Sequence, residues 1–386
     1  MKRLFLGICL ITSVLFVKGQ EVTVFRSGDD GYASYRIPAI VKGKAGELIA
    51  FAEGRVEHAG DFGNVDIVCK ISKDGGKTWG PLQVVVDYDK LQAGNPAPVV
   101  DMLDPSYPQG RLFLFYNTGN NHEGEVRKGK GLREAWYKTS IDGGQTWSEP
   151  VNITLQVHRP KQPQVNASYN FSEDWRTYAN TPGHAFQFIT GPKKGRIYVA
   201  ANHNAGDPQP QNRDWNAHAY YSDDHGKTFR LSENIPYPGS NESMAAQVGD
   251  NTVYMTSRNQ GLTPKQRIIS ISHDGGHSWA SSGTDPNLPD PINQGAVLSW
   301  KKGKNFILAH LNAADENKRD NLTLRLSKDQ GKSWYFNKVV AKSPEGYKGS
   351  AYAAYSDMVL VKKNKLGVLY EKDGYKQIVF TTVDVK

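Results

Sequence analysis

The chain is 386 residues long, with 38% hydrophobic and 11% aromatic residues, 38 Gly and 20 Pro. That content excludes a disordered chain, and the absence of a three- or seven-residue period excludes collagen and coiled coil. The net charge of +8 comes without a basic run, so a nucleic-acid-binding arm is excluded as well.

Met1-Lys2-Arg3 followed by the apolar run Leu4–Val17 predicts a cleaved export leader over residues 1–19, too short an apolar run to span a bilayer. The expected mature chain, 20–386, is then secreted or periplasmic, with no membrane span. It keeps one thiol, Cys69, so no internal disulfide is available and stability must come from packing.

After Glu21–Phe25, which reads as a strand, the chain repeats itself. An eight-residue pattern, Ser-X-Asp-X-Gly-X-Ser/Thr-aromatic, occurs at Ser72–Trp79, Ser140–Trp147, Ser222–Phe229, Ser272–Trp279 and Ser327–Trp334. Its chemistry is that of a turn: Asp bonds nearby backbone N–H groups and Gly supplies a positive φ. Each copy ends a strand-like run, the first at Val65–Ser72 and the last at Leu322–Ser327. Two further apolar runs stand upstream of each, for example Ile37–Val41 and Leu48–Ala52, or Ala185–Ile189 and Ile197–Ala201. A sixth set, Met358–Val361, Gly367–Tyr370 and Gln377–Thr382, has no turn pattern after it, and Glu21–Phe25 is placed to supply its missing outer strand. Repeats of this length that must hide their edges predict an all-β fold, a six-bladed β-propeller forming one domain over 20–386.

Up-and-down connectivity puts the repeated turns on one face and the unit-specific residues on the other. The first strands begin on that second face with Arg36, Asn95, His184, Glu242, Gln294 and Tyr355. The second strands end there with Arg55, Asn117, Asn202, Arg258, Asn312 and Glu371, and its loops carry Asp61, Asp66 and Arg319. A lone arginine on such a rim is an ordinary surface charge. Arg36, Arg258 and Arg319 on one mouth point instead to an anion, because the guanidinium fork matches a carboxylate or phosphate.

The segment Tyr35-Arg36-Ile37-Pro38 together with the repeated turns resembles the exo-α-sialidases (neuraminidases) of bacteria and animals, over essentially the whole mature chain. The resemblance implies a hydrolase removing terminal α-linked sialic acid from glycoproteins, glycolipids and oligosaccharides. It implies that Arg36, Arg258 and Arg319 grip the sialic acid carboxylate, with Glu371 orienting Arg36. Tyr355 would be the nucleophile, Glu242 its base and Asp61 the acid/base, and Arg55, Asn95 and Asp101 would touch other substituents of the sugar. Asp66 rivals Asp61, and Tyr352 rivals Tyr355. The resemblance implies no cofactor and no metal, sialylated glycans as partners, and a monomer. Two other readings use the same arginines: a non-catalytic sialic-acid-binding propeller and a trans-sialidase.

Overall fold

A computed structural model describes residues 21–261 and 263–385. The expected leader lies outside the described residues. Strand β1 (Val22–Arg26) is followed by β2 (Ser34–Lys42), β3 (Leu48–Arg55), β4 (Val65–Ser72) and β5 (Gln83–Val86). Next come β6 (Gln92–Asp101), β7 (Arg111–Gly119), β8 (Arg133–Ser140) and β9 (Val151–Asn152). They are followed by β10 (Trp175–Asn180), β11 (Phe186–Gln187), β12 (Ile197–Ala205), β13 (Trp215–Ser222) and β14 (Arg230–Leu231). The chain continues with β15 (Ser240–Gln247), β16 (Val253–Asn259), β17 (Gln266–Ser272) and β18 (Ser281–Pro289). The next group is β19 (Gly295–Lys302), β20 (Asn305–Ala313), β21 (Leu322–Ser327) and β22 (Phe336–Ala341). It ends with β23 (Ala353–Lys362), β24 (Lys365–Lys372) and β25 (Gln377–Asp384).

The all-β class agrees with the sequence, but the expected six separate blades do not. Four sheets stand alone as blades: β1-β25-β24-β23, β10/β11-β12-β13-β14, β15 to β18, and β19 to β22. The strands expected as the first two units form one eight-stranded sheet. The physical reason is the short outer strand β5. It pairs β4 only at Ile67, Val68 and Cys69, which leaves the Val65 end of β4 open. Val65 pairs in parallel with Gln92, and its N–H reaches the Leu91 carbonyl at 3.2 Å. The arrangement is therefore four-bladed, completed by a continuous double-width sheet. The N-terminal strand does close the last sheet, pairing antiparallel with β25.

The repeated turns are scaffold by their bonding. In the first, Ser72 Oγ accepts the Gly76 N–H and donates to Asp74 at 2.9 Å each, while Asp74 Oδ2 accepts the Thr78 hydroxyl at 2.6 Å. The set recurs at Asp142, Asp224, Asp274 and Asp329. These turns also join sheets. Gly276, at φ +88°, lies under the ring of Tyr198 from the neighbouring sheet, and a Cβ there would stand 2.3 Å from that ring. Gly276→Ala is expected to destabilise the fold by on the order of 2 kcal/mol, from left-handed strain plus the clash with a fully buried ring. A melting temperature lowered by a few degrees in differential scanning calorimetry is the check. Cys69 is buried and free.

At the hub the inner strands are tied through Asp357 on β23. Its Oδ2 accepts the backbone N–H of Ile40 at 2.9 Å and of His184 at 3.0 Å, and its Oδ1 lies 2.6 Å from His184 Nδ1. His184 is thus a hub residue and not the rim residue expected. The run Ala185–Ile189 contributes only the two-residue β11, and β10 brings Tyr178 and Ala179 to the rim instead.

Candidate active site

The inner strands carry their special residues at irregularities. The pairing register slips between Arg36 and Ala39, between Gly94 and Ala97, between Ser240 and Ser243, and between Ala353 and Ser356. Such bulges re-aim side chains, here Arg36, Asn95, Glu242 and Tyr355, into one cleft. Two of the slips hold residues in the left-handed region, Ile37 at φ +57° and Asn95 at φ +55°. For a β-branched isoleucine that is strained, and it persists only where the surroundings enforce it.

Glu371, fully buried on β24, does the enforcing. One of its oxygens accepts Arg36 Nε at 2.7 Å and the Ile37 N–H at 2.9 Å, while the other accepts the Tyr355 N–H at 3.2 Å. One carboxylate therefore fixes a guanidinium, a strained peptide and the backbone beneath Tyr355.

Tyr355 Oη lies 2.7 and 2.8 Å from the two oxygens of Glu242. Arg258 Nη1 donates to that Oη at 2.9 Å and stands 2.9 Å from Glu242 Oε2. The guanidinium carbons of Arg36 and Arg319 each lie 5.3 Å from the centre of the Tyr355 ring. Burial, and then the charge of Glu242, push the Tyr355 phenol well above its ordinary value, against three arginines that pull it down. Burial raises Glu242 too, opposed by Arg258. The pair is a neutral phenol facing a carboxylate of enhanced basicity.

Arg319 follows from its backbone bridge to Ala351 and is held by Ile292 O at 2.9 Å and Tyr375 Oη at 3.0 Å. Asp61 sits in the loop after β3, 2.8 Å from Arg55 Nη1 and 3.9 Å from Arg36 Nη1, with its side chain largely open to the cleft. Desolvation in the cleft works upward on its pKa, but Arg55 and then Arg36 hold it below the usual carboxylate range. Its rival Asp66 is on β4, buried, and accepts the Tyr32 hydroxyl at 2.7 Å outside the cleft. Tyr352 is also outside the cleft, edge-on to Tyr347 at 5.2 Å.

Asp101 is not brought to the cleft. It ends β6 at the opposite end from Asn95 and bonds His225 Nδ1 at 2.7 Å and the N–H groups of Leu103 and Asp104. Asn117 and Asn312 are also spent on the frame, accepting Asn180 N–H and Arg325 Nη1 respectively. Sequence reasoning missed several residues the structure adds. Glu53 holds Arg55 at 2.7 Å and the Asn95 N–H at 2.9 Å. It stands two residues before Arg55 on β3, so the period-2 rule places both on one face, a signal that could have found it. Tyr375, beneath the Arg36 guanidinium at 3.9 Å, leaves no such signal because a turn delivers it. Gln92, Glu123, Arg133, Trp215 and Asn241 complete the wall.

The family model described as "BNR repeat-like domain" matches residues 46–368. A sialidase of Micromonospora viridifaciens is 30% identical over 365 residues, covering 89% of this chain and 51% of that protein. An exo-alpha-sialidase of Aspergillus fumigatus is 29% identical over 373 residues, covering 89% of this chain and 80% of the relative. The chain thus spans about half the length of the first relative and four fifths of the second. Among solved structures, the Hadza microbial sialidase Hz136 superposes with a TM-score of 0.77 at 21% identity, over 94% of this chain and 68% of that one. A leech intramolecular trans-sialidase superposes at 0.72 and 15% identity, over 95% and 70%. No helix among the described residues is long and apolar enough to cross a membrane.

Proposed function

This chain belongs to the BNR repeat-like family, and from that membership we propose that it is a retaining exo-α-sialidase acting on terminal sialic acid of glycans. The observation that carries the reading is the Tyr355 hydroxyl bonded to both oxygens of Glu242 with Arg258 beside it. A purely binding site needs the arginines and has no use for a phenol and a base arranged in this way.

The substrate carboxylate docks on Arg36, Arg258 and Arg319. Its negative charge, next to the reacting carbon, repels an anionic nucleophile, and a neutral phenol avoids that repulsion; sialidases are the tyrosine exception among retaining glycosidases. Tyr355 Oη bonds to the anomeric carbon as its proton passes to Glu242, and Asp61 protonates the departing glycosidic oxygen. Asp61, now ionised, takes a proton from water as that water attacks the same carbon. Tyr355 leaves and recovers its proton from Glu242, and two inversions give net retention. NMR identification of products from α2,3-, α2,6- and α2,8-linked substrates tests this. Free sialic acid released first as the α-anomer is expected; a 2,7-anhydro product would replace hydrolysis by intramolecular transfer, and no turnover would leave the binding reading.

The titration of the site has a working sign. Glu242 must be ionised and is raised, whereas Asp61 must be protonated and is lowered. The active form holds one proton between them, so kcat/KM is expected to form a bell with its maximum between the two carboxyls, on the acid side of neutrality. Substrate bound at Arg36 weakens that arginine's hold on Asp61. With the required acid below the required base, the acid limb follows Asp61 and the alkaline limb follows Glu242. The acid limb of kcat is therefore expected at higher pH than that of kcat/KM, measurable from full pH–rate profiles; coincident acid limbs would count against Asp61 as the acid.

A further inference from the structure

The second repeated turn, Ser140–Trp147, departs from its four counterparts at three places, and all three adjoin one cavity. After the opening serine the others carry Lys73, Asp223, His273 and Lys328, whereas the second carries Ile141, 62% exposed. After the repeated glycine the others carry Lys77, Lys227, His277 and Lys332, whereas the second carries Gln145. The third departure is a missing ring. A Cβ on Gly76, Gly226, Gly276 or Gly331 would stand 2.1–2.6 Å from the ring of Phe380, Phe113, Tyr198 or Tyr254, respectively. On Gly144 it would meet nothing closer than Ile49 Cγ2 at 3.6 Å and Ile71 Cδ1 at 3.7 Å.

The cavity there has a volume of about 810 Å³ and lies on the face of the repeated turns, opposite the catalytic cleft. Ile71, Trp79 and Ile141 give it an apolar side, and Glu47, Gln109 and Gln145 a polar one. The Glu47 carboxylate makes no hydrogen bond and no ion pair among the described residues, and its Oε2 is shut off from water. Gly43 and Gly143 leave the room in which it lies, since a Cβ on either would stand 1.9 or 2.7 Å from Oε1. Asp142, in the same wall, is by contrast engaged by its own turn, accepting the Ser140 and Thr146 hydroxyls and the N–H groups of Gln145 and Thr146. A carboxylate that is only partly solvated and paired with nothing gains from any donor that reaches it.

We propose that this cavity is a separate carbohydrate site, one for neutral hexopyranose rings. It stands a strand's length from Tyr355, roughly 25 Å at about 3.3 Å per residue, and so is no extension of the cleft. A pyranose has an apolar C–H face and a rim of hydroxyls. The face lies on Ile71, Trp79 and Ile141, and one hydroxyl donates to Glu47. Gln109 offers both a donor and an acceptor to the remaining hydroxyls, and Gln145, whose Nε2 is bonded to Asp142 O at 2.9 Å, offers its carbonyl. An ammonium group would suit Glu47 but brings no acceptor for Gln109 and meets Lys73 at the rim. An acidic sugar would meet Glu47 as a like charge. The volume is that of sites which enclose a small ligand.

Calorimetric titration with lactose tests the site, with N-acetyl-lysine methylamide as the cationic probe. Wild type is expected to bind lactose saturably, with a Kd on the order of 1 mM, and to bind the lysine probe more weakly. Glu47→Gln is expected to weaken lactose binding about tenfold. Ile71→Phe, which supplies the missing ring, is expected to abolish it. Ile141→Asp places at the second turn the residue that the third turn carries as Asp223, so it keeps the fold if Ile71→Phe does not, and it too is expected to abolish binding. Unchanged melting temperatures certify the variants. Absence of saturation in wild type, preference for the lysine probe, or lactose binding that survives in the folded variants and therefore belongs to the cleft would each overturn the proposal. The readout needs no turnover, so its failure leaves the sialidase reading untouched, and failure to cleave an aryl α-sialoside leaves this site standing.

Discussion

Tyr355→Phe is expected to lower kcat on an aryl α-sialoside by on the order of a thousandfold, about 4 kcal/mol in the barrier, with the melting temperature nearly unchanged. The variant deletes one oxygen and keeps the ring between the guanidinium groups of Arg36 and Arg319. It strands no buried charge, because Glu242 and Arg258 remain 2.9 Å apart and satisfy each other. Stability should therefore change by about 1 kcal/mol or less. The control is Tyr352→Phe, whose ring packs on Tyr347 away from the cleft; it is expected to leave kcat within about twofold. Wild-type turnover by Tyr355→Phe would remove Tyr355 from the role of nucleophile.

What could be read in the sequence divides by the range of the interaction involved. The repeated turns were legible because each is a closed local circuit: Ser, Asp, Gly and Thr bond within eight residues. Arg36, Glu242, Arg258 and Tyr355 were legible once strand order was assumed, since up-and-down strands send alternate ends to one face. The blade count was not legible, because it turns on a lateral contact, Val65 with Gln92, between strands that the repeat pattern assigns to different units. Asp101 failed on length. It stands six residues beyond Asn95 on one strand, and at about 3.3 Å per residue that carries it roughly 20 Å to the other face. His184 failed because the strand expected around it is interrupted, and Asp357, far away in sequence, claims its imidazole at the hub. Glu53 went unread although its period-2 spacing from Arg55 on β3 was a usable signal. Arg133, on β8, bonds Gln92 on β6, and residue spacing along one chain segment is blind to a partner on another strand.

Arg258 separates charge from geometry, which makes its substitutions the second large expectation. Arg258→Lys keeps the cation but loses the planar fork that serves Tyr355 Oη, Glu242 and the substrate carboxylate together, and an ammonium cannot reach all three in that geometry. A loss of about 2 kcal/mol in transition-state stabilisation is expected, roughly thirtyfold in kcat/KM. Arg258→Met removes the charge as well. Arg258 is the principal group opposing the rise in Glu242's pKa, so without it that carboxyl rises further and holds its proton to higher pH. A base that stays protonated cannot receive the proton of Tyr355. The alkaline limb of the residual kcat/KM profile, which follows the higher of the two carboxyls, is therefore expected to move to higher pH in Arg258→Met and to stay near its wild-type position in Arg258→Lys. Identical limbs in the two variants would mean that Arg258 acts on the substrate alone and contributes nothing to the readiness of Glu242. A shift confined to the methionine variant would show the same guanidinium serving the carboxylate of the sugar and the base beneath the nucleophile.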